Sequence, residues 1–405
     1  MTASSSRWYD RGFAGTYVHA ALGPIASPSV DEVRRVVAQT VRAAPDGPAA
    51  ASVRGGSARR RTSVDPEALA RRLVQPAPPL EAEGRGVDAE LADRCARDAA
   101  PQDDLPFRLG VGPDSVTLAW CHVLGDAGIA NGALSGIVAA ALGGALPAPL
   151  IEPTSAGVTR AALRSVVTST RELPRANAVP APPAGSGGRP SSPGVAHLSV
   201  DPVALRSLKL RARDLGVRRS SLLIALAEVA LRTDGLAPRD DIRTVVVDCR
   251  RYLPAGAVVR GNFAAGQALR ARWDDPADVD RAIAGALDQA RPVLGLLAAA
   301  IPRRATPGSA PPGPFPVRPD YSVIGPLRGV NALPWSGAPS FVVAGRPGRP
   351  DAFGLTSTEI KGRLQLTVTY DRAGVDPGSV VAVLRTIEAS LIGSGTLTRT
   401  PGEST

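Results

Sequence analysis

Lysine is almost missing from this sequence. Of 47 basic residues only Lys209 and Lys361 are lysine, and the arginine excess, beside 42 glycines, 39 prolines and heavy alanine use, reads as the imprint of G+C-rich coding. The formal charge of +10 is therefore partly compositional and says little by itself about a nucleic-acid partner. Aromatic residues make up only 4%, too few for a stacking platform on single strands, and no zinc-finger or helix-turn-helix pattern stands out. Arg59-Arg60-Arg61, the best local basic patch, reads as a solvated turn or strand edge. No nucleic acid is expected as a partner.

Cysteine is scarce as well. Cys95, Cys121 and Cys249 are odd in number and scattered, which argues against a disulfide framework and a paired-ligand metal site and predicts reduced, buried thiols. No metal is expected. The Ala-rich run from Gly136 to Ile151 is broken by Pro147 and Pro149, and the first ten residues hold no apolar signal core, so a cytoplasmic protein with no membrane span follows. Also missing are a Gly-Lys-Ser/Thr phosphate loop, a Gly-x-Ser-x-Gly elbow and a Rossmann glycine run.

What is present is a mixed α and β pattern in two halves. Length alone favours two or three domain-sized units. Gly15 to Leu22 reads as a strand, and Ser29 to Ala43 as a helix capped by Ser29 with Val33, Val36, Val37 and Val41 on one stripe. Val64 to Val74 and Val87 to Ala99 read as helices, Pro106 to Gly110 and Ser115 to Cys121 as strands, and Ile129 to Leu142 as a small-residue helix. Ala178 to Pro193 is Pro, Gly, Ser and Ala with no apolar period, hence a linker. Beyond it, strands are expected at Val195 to Val200, Ile242 to Cys249, Tyr321 to Ile324, Ser340 to Ala344, Phe353 to Ser357 and Leu364 to Tyr370. Helices are expected at Pro202 to Leu215, Ser220 to Arg232, Pro276 to Gln289 and Pro377 to Ile392, so both halves open strand then helix.

His122 is the chemically distinctive residue. It directly follows the apolar run Ser115 to Trp120 and Cys121, and four residues on stands Asp126. A neutral imidazole, with an ordinary pKa of about 6.5, can take a proton from a hydroxyl or amine. His19 and His197 sit in alternating strand runs and read as half-buried strand residues.

Three landmarks stand in order: Cys121-His122-x-x-x-Asp126-Ala127-Gly128, then Val247-Asp248-Cys249-Arg250-Arg251, then Gly261-Asn262-Phe263. Together they resemble the chloramphenicol-acetyltransferase-like superfamily of thioester-dependent acyltransferases, nearest the condensation domains, polyketide-associated acyltransferases and wax-ester-synthase-like enzymes. Pro106 to Leu109 and Tyr321-Ser322-Val-Ile-Gly325-Pro326 also resemble family segments. The resemblance implies an α/β two-lobed sandwich with pseudo-duplicated lobes around a central tunnel. An N-terminal lobe would span 1–152, an inter-lobe linker 153–194, a C-terminal lobe 195–396 and a flexible tail 397–405, with segments near the C terminus crossing back onto the first lobe.

The resemblance also assigns roles. His122 would be the general base, Asp126 would turn away from the tunnel to pair with Arg250 (Arg251 being the alternative), and amides around Ala127 and Gly128 would face the thioester carbonyl. Asn262 and Ser322 would lie near the tunnel. Thr356-Ser357-Thr358 could offer it a hydroxyl, although alternation in a Thr-rich strand also explains that run. The implied function is that of an acyltransferase of natural-product biosynthesis. Its donor would be an acyl-CoA or a phosphopantetheinyl carrier protein, with no permanently bound cofactor, and its acceptor a small-molecule hydroxyl or amine. The alternative is a non-catalytic or repurposed condensation-like protein that binds a carrier protein. Two positions depart from the family pattern: Cys121 replaces its first histidine, and Ala127 replaces the glycine after the aspartate, where an added methyl would narrow the donor's approach or forbid a positive φ.

Overall fold

Ser29 begins the first long helix. Its hydroxyl accepts from Glu32 N–H at 3.2 Å while the Glu32 carboxylate accepts from Ser29 N–H at 2.7 Å, so two backbone donors of the helix start are satisfied reciprocally. The computed structural model describes residues 16–54, 57–61, 64–80, 86–97, 104–155, 157–169, 192–238, 240–259, 261–299, 317–345, 347 and 350–393.

In chain order, the first half holds β1 (Tyr17–Ile25), α1 (Val30–Ala43), β2 (Ala51–Arg54), β3 (Ser57–Arg60), α2 (Pro66–Leu73), β4 (Val74–Pro76), α3 (Gly86–Arg97), β5 (Phe107–Val111), β6 (Val116–Cys121), α4 (Ala127–Ala141), α5 (Ala148–Ile151) and α6 (Val158–Ser169). The second half holds β7 (Pro193–Val200), α7 (Pro202–Asp214), α8 (Arg219–Thr233), β8 (Ile242–Asp248), β9 (Ala264–Arg270), α9 (Pro276–Asp288), α10 (Arg291–Ala299), β10 (Arg318–Pro326), α11 (Arg328–Asn331), β11 (Trp335–Gly345), β12 (Ala352–Ile360), β13 (Arg363–Asp371) and α12 (Pro377–Ile392).

Two main sheets result. The first has the order β11-β1-β6-β5-β4, and the second β7-β13-β12-β10-β8-β9. In the second, β8, β10 and β12 run parallel and the flanking strands antiparallel. Strand β11 comes from late in the chain yet pairs with β1, Ala20 opposite Val343, so the second half completes the sheet of the first. Each sheet packs its own helices: Val33 and Val37 of α1 and Leu134 and Val138 of α4 join β6 in one core, while Leu222 and Leu226 of α8 and Val380 and Leu384 of α12 join Leu366 and Val368 of β13 in the other. Every residue of β6 is buried, which explains its continuous apolar reading.

The second core contains a charged group. Glu228 accepts from Tyr321 OH at 2.7 Å and from Arg243 Nη2 at 3.1 Å, and all three side chains are buried, so the charges are paired where an unpaired one would be costly. Burial and the Glu228 charge push the Tyr321 phenol well above its ordinary pKa. It stays protonated, as a donor.

The span expected as linker, 153–194, is not uniform. Its residues Val158–Ser169 form α6, whose Val158 and Ala162 are buried with Cys249, Phe263 and Val293 in a small separate core. Its spaced apolar residues, diluted by Thr, Arg and Ser, give too weak a period to register in the sequence. Most of the Ala178 to Pro193 stretch and the tail 397–405 lie outside the described residues. Among the described residues no helix is long and apolar enough to cross a membrane, and no group of three or more His, Cys, Asp or Glu could hold a metal ion. Cys95, Cys121 and Cys249 are free and buried.

Candidate functional site

Strand β6 ends at Cys121, and the chain then tightens into a single 3-10 turn, His122–Leu124, before α4 starts. The turn is held from several sides. His122 N–H donates to Thr16 O at 2.9 Å, and the buried Trp120 indole, stacked on Phe107 with ring centroids 5.6 Å apart, donates to Gly125 O at 3.1 Å. Gly125 has no room for a side chain, since a Cβ there would come within 2.7 Å of Ile129.

Asp126 caps α4. Its Oδ1 accepts from Ile129 N–H at 3.2 Å, and its Oδ2 accepts from Arg250 Nη1 at 2.7 Å and from Phe263 N–H at 3.0 Å. Arg250, on the turn after β8, donates Nη1 also to Asp248 at 3.1 Å and Nη2 to Gly261 O at 3.2 Å. Burial opposes the Arg250 charge, but Asp126 and Asp248 together hold its pKa above the ordinary value. The alternative, Arg251, is exposed and lies over the Tyr252 ring instead. Gly125 and Gly261 form a parallel bridge at the same place, so the Gly261-Asn262-Phe263 segment grips the His122 turn along its backbone.

Asn262 is fully buried, and its side-chain amide meets His122 at Nδ1. Sequence reading places Asn262 only near the tunnel; no local signal shows that it reaches the imidazole across 140 residues of chain. Burial lowers the His122 pKa, with the Asp126 charge offsetting part of the effect, so the ring is neutral at neutral pH. The neighbouring thiols are inert: burial pushes Cys121 up to about 12, and burial with the Asp248 charge pushes Cys249 up further still.

His122 opens onto a cavity of about 400 Å³ between the lobes. Val18 of β1 and Val343 of β11 form one wall; Ser322 of β10, Gly354 and Thr356 of β12 and Gly266 of β9 form the other. Ala127 and Gly128 stand at its edge as the first two residues of α4, and no group among the described residues accepts from their N–H groups. These are the donors a helix start leaves without intrahelical partners. Ala127 has ordinary helical geometry, which corrects the expectation that a methyl here conflicts with a positive φ. The tighter position is Gly128, where a Cβ would sit 3.1 Å from Asp126 Oδ1.

The structure thus brings His122, Asp126, Ala127, Gly128, Arg250, Asn262 and Ser322 to one cavity, which Asp126 lines while pairing with Arg250 rather than turning away from it. Ser357 and Thr358 line a neighbouring cavity, apart from Thr356. His19 is buried on β1, and His197 is buried with its ring nitrogens 2.9 Å from Thr367 Oγ1 and 3.2 Å from Gln365 Oε1, a structural pairing away from the site.

No protein-family model and no curated protein matches the sequence. Solved structures do match. The chain is similar to trichothecene 15-O-acetyltransferase TRI3 from Fusarium sporotrichioides, at 13% identity over 95% of this chain and 92% of that one, with a TM-score of 0.59. It is similar to the first condensation domain of the CDA synthetase, at 15% identity over 94% and 90%, TM-score 0.58, and to the epimerization domain from the third module of tyrocidine synthetase B, at 13% over 97% and 96%, TM-score 0.55. Together with the two sheets and the cavity between them, these likenesses show that the chain has the two-lobed, chloramphenicol-acetyltransferase-like α/β fold of these acetyltransferase, condensation and epimerization structures.

Proposed function

We propose that the protein transfers an acyl group from a pantetheine thioester, carried on coenzyme A or on a carrier protein, to the hydroxyl or amine of a small molecule in natural-product biosynthesis. One observation carries the reading: a half-buried imidazole kept neutral and the first two residues of a helix, with N–H groups free of intrahelical partners, share a single cavity between the lobes. An O-acetyltransferase and condensation domains among the fold neighbours support acyl transfer, and the former supports an oxygen acceptor.

The chemistry balances without another reagent. His122 Nε2 takes the acceptor proton as the acceptor oxygen or nitrogen bonds to the thioester carbonyl carbon. The carbonyl oxygen becomes an oxyanion, which the Ala127 and Gly128 N–H groups stabilise. Collapse then breaks the C–S bond, and the imidazolium returns its proton to the departing thiolate. General-base help is worth about 10²–10⁴-fold in rate, and removal of one oxyanion donor typically costs about 10²–10³-fold.

The test is a panel of acyl-pantetheine thioesters and acceptors followed by mass and by thiol release. His122→Ala should lose about 10²–10⁴-fold in turnover; turnover equal to that of the unaltered protein sinks the general-base assignment. A second reading, carrier binding without turnover, is favoured by the Asn262 contact: with Asn262 Nδ2 donating to Nδ1, the neutral ring carries its proton on Nε2 and cannot accept one there. Binding without product across the panel would establish that reading instead.

A further inference from the structure

Helix α6 buries one side and shows a second organised side to solvent. Val158 and Ala162 enter the small core with Cys249 and Phe263, the residues next to Arg250 and Asn262. Arg160, Leu163, Arg164 and Val167 follow one another at i, i+3, i+4 and i+7, so they share one stripe of the helix. All four are exposed, Leu163 at 45% and Val167 at 69%. Single exposed apolar residues need no explanation, but two on adjacent turns, set between arginines, make a patch.

Beside this stripe runs a surface groove of about 530 Å³, with Arg160 and Arg164 of the helix on one side and Arg251 and Leu253 of the turn after β8 on the other. No carboxylate lines it among the described residues, and neither Arg160 nor Arg251 has a carboxylate partner there. Arginine-rich composition does not account for this. The exposed Arg232, Arg272 and Arg281 each meet a carboxylate, at 2.7, 2.7 and 2.6 Å. Arg251 instead lies over the Tyr252 ring, 5.9 Å from its centroid, and the Tyr252 hydroxyl donates to Leu287 O at 2.7 Å, so the pair is anchored to the fold. Arginine and tyrosine are the side chains that most often anchor protein interfaces.

The groups present select the occupant. A helix seated on such a stripe supplies anchors at i, i+3, i+4 and i+7; here they would be apolar side chains against Leu163 and Val167, flanked by carboxylates against the arginines. Nucleic acid would satisfy the arginines and leave the apolar pair without a partner. A second copy of the chain would set arginine against arginine, because a twofold contact pairs a patch with itself.

We infer that α6 and the turn after β8 form a docking surface for a partner protein that presents an acidic amphipathic helix. The inference does not rest on the acyl-transfer reading: the groove shares no lining residue with the His122 cavity, and its test reads binding alone. The probe is a stapled helical peptide of about fifteen residues, with leucine on one stripe and glutamate beside it, titrated into the full chain by fluorescence anisotropy. Peptides with Lys for Glu, or with Ser for Leu, are the controls. The acidic peptide should bind roughly tenfold or more tighter than the Lys peptide, by a margin that shrinks between about 0.1 and 1 M salt, and more tightly than the Ser peptide. Arg160→Glu/Arg251→Glu should abolish the charge preference, and Leu163→Ser/Val167→Ser the preference for leucine. All four side chains are exposed, so both variants should keep the urea midpoint of the unaltered chain. Equal affinity for the acidic and Lys peptides, binding of neither, or a charge preference untouched by the arginine variant overturns the inference. So does an oligonucleotide that binds as tightly as the acidic peptide and displaces it, which would make the surface a nucleic-acid site. A dimer in sedimentation that Leu163→Ser/Val167→Ser disperses would make it a contact between copies, and overturns it as well.

Discussion

Arg250 Nη1 lies 2.7 Å from Asp126 Oδ2, joining the turn after β8 to the turn after β6. The carboxylate four residues after His122 is thus spent on architecture. With Phe263 N–H and Ile129 N–H as its other donors, Asp126 ties together the start of α4, the Arg250 turn and the 261–263 segment. Its charge reaches His122 only as a secondary influence, weaker than burial.

Asp126→Ala should therefore act on stability before chemistry. It removes one of the two carboxylate partners of Arg250, leaves Phe263 N–H without its acceptor and removes the α4 cap, for a loss of about 2–4 kcal/mol in urea unfolding. Arg250→Ala should cost less, since Asp126 keeps two N–H donors and Arg250 is partly exposed. The double variant should lose less than the sum of the two single losses, because the Asp126–Arg250 contact that each single change breaks is then counted once. Additive losses would show that the pair does not couple the two turns.

The histidines make stability depend on pH. His122 and His197 both have folded pKa values lowered by burial, so the unfolded chain binds protons that the fold refuses. Their contribution is complete above the unfolded value of about 6.5 and is lost as pH falls from there toward the folded values. The urea midpoint should drop on acidification below about 6.5, and His122→Gln and His197→Gln should each flatten that drop. In an active protein the acid limb of kcat/KM should lie below that same value of about 6.5. A limb above it would contradict a base held neutral by burial.

Much of the second sheet and of the helices was legible in the sequence because β-branched runs and capping residues are local signals. Ser29, with Glu32 three residues on, announces α1, and the consecutive Thr244, Val245, Val246 and Val247 announce β8. Strand β9, Ala264–Arg270, went unread because small and polar residues suffice on a strand whose neighbour β8 supplies the apolar contacts. Helix α4 begins two residues before Ile129, its first large apolar residue, since the cap at Asp126 and not hydrophobicity sets the start. The order of landmarks brought His122, Asp126 and Arg250 into view. What it withheld were contacts between distant segments, the Asn262 amide on the imidazole above all, because a side-chain pairing across 140 residues leaves no local period.

Asn262 should control which ring nitrogen of His122 holds the proton. Acceptance at Nε2 requires the proton on Nδ1, and the two ends of the Asn262 amide differ only in whether they donate or accept. Histidine 15N spectra read the tautomer directly, without turnover. Asn262→Asp offers only acceptors: it should fix the Nδ1–H tautomer, and its charge should raise the His122 pKa and move the acid limb to higher pH. Asn262→Ala, which removes the Nδ2 donor that holds the proton on Nε2, should free the Nδ1–H tautomer and raise kcat, with little change in KM. Identical tautomer and pH profile in both variants would reduce Asn262 to a packing residue.

Ala127→Gly tests whether the departure from the family pattern matters. Ala127 is the first residue of α4, in right-handed geometry, so glycine offers no conformation that alanine lacks. What glycine adds is backbone freedom in the unfolded chain, which should cost up to about 1 kcal/mol of stability. The backbone at the cavity edge stays where the Asp126 cap holds it, and the space freed is one methyl. Turnover with short acyl thioesters should accordingly change by less than about tenfold, below the roughly 10–200-fold that a single methylene can be worth in a well-packed pocket. A larger gain would show that the Ala127 methyl, and not the orientation of His122, limits the donor's approach.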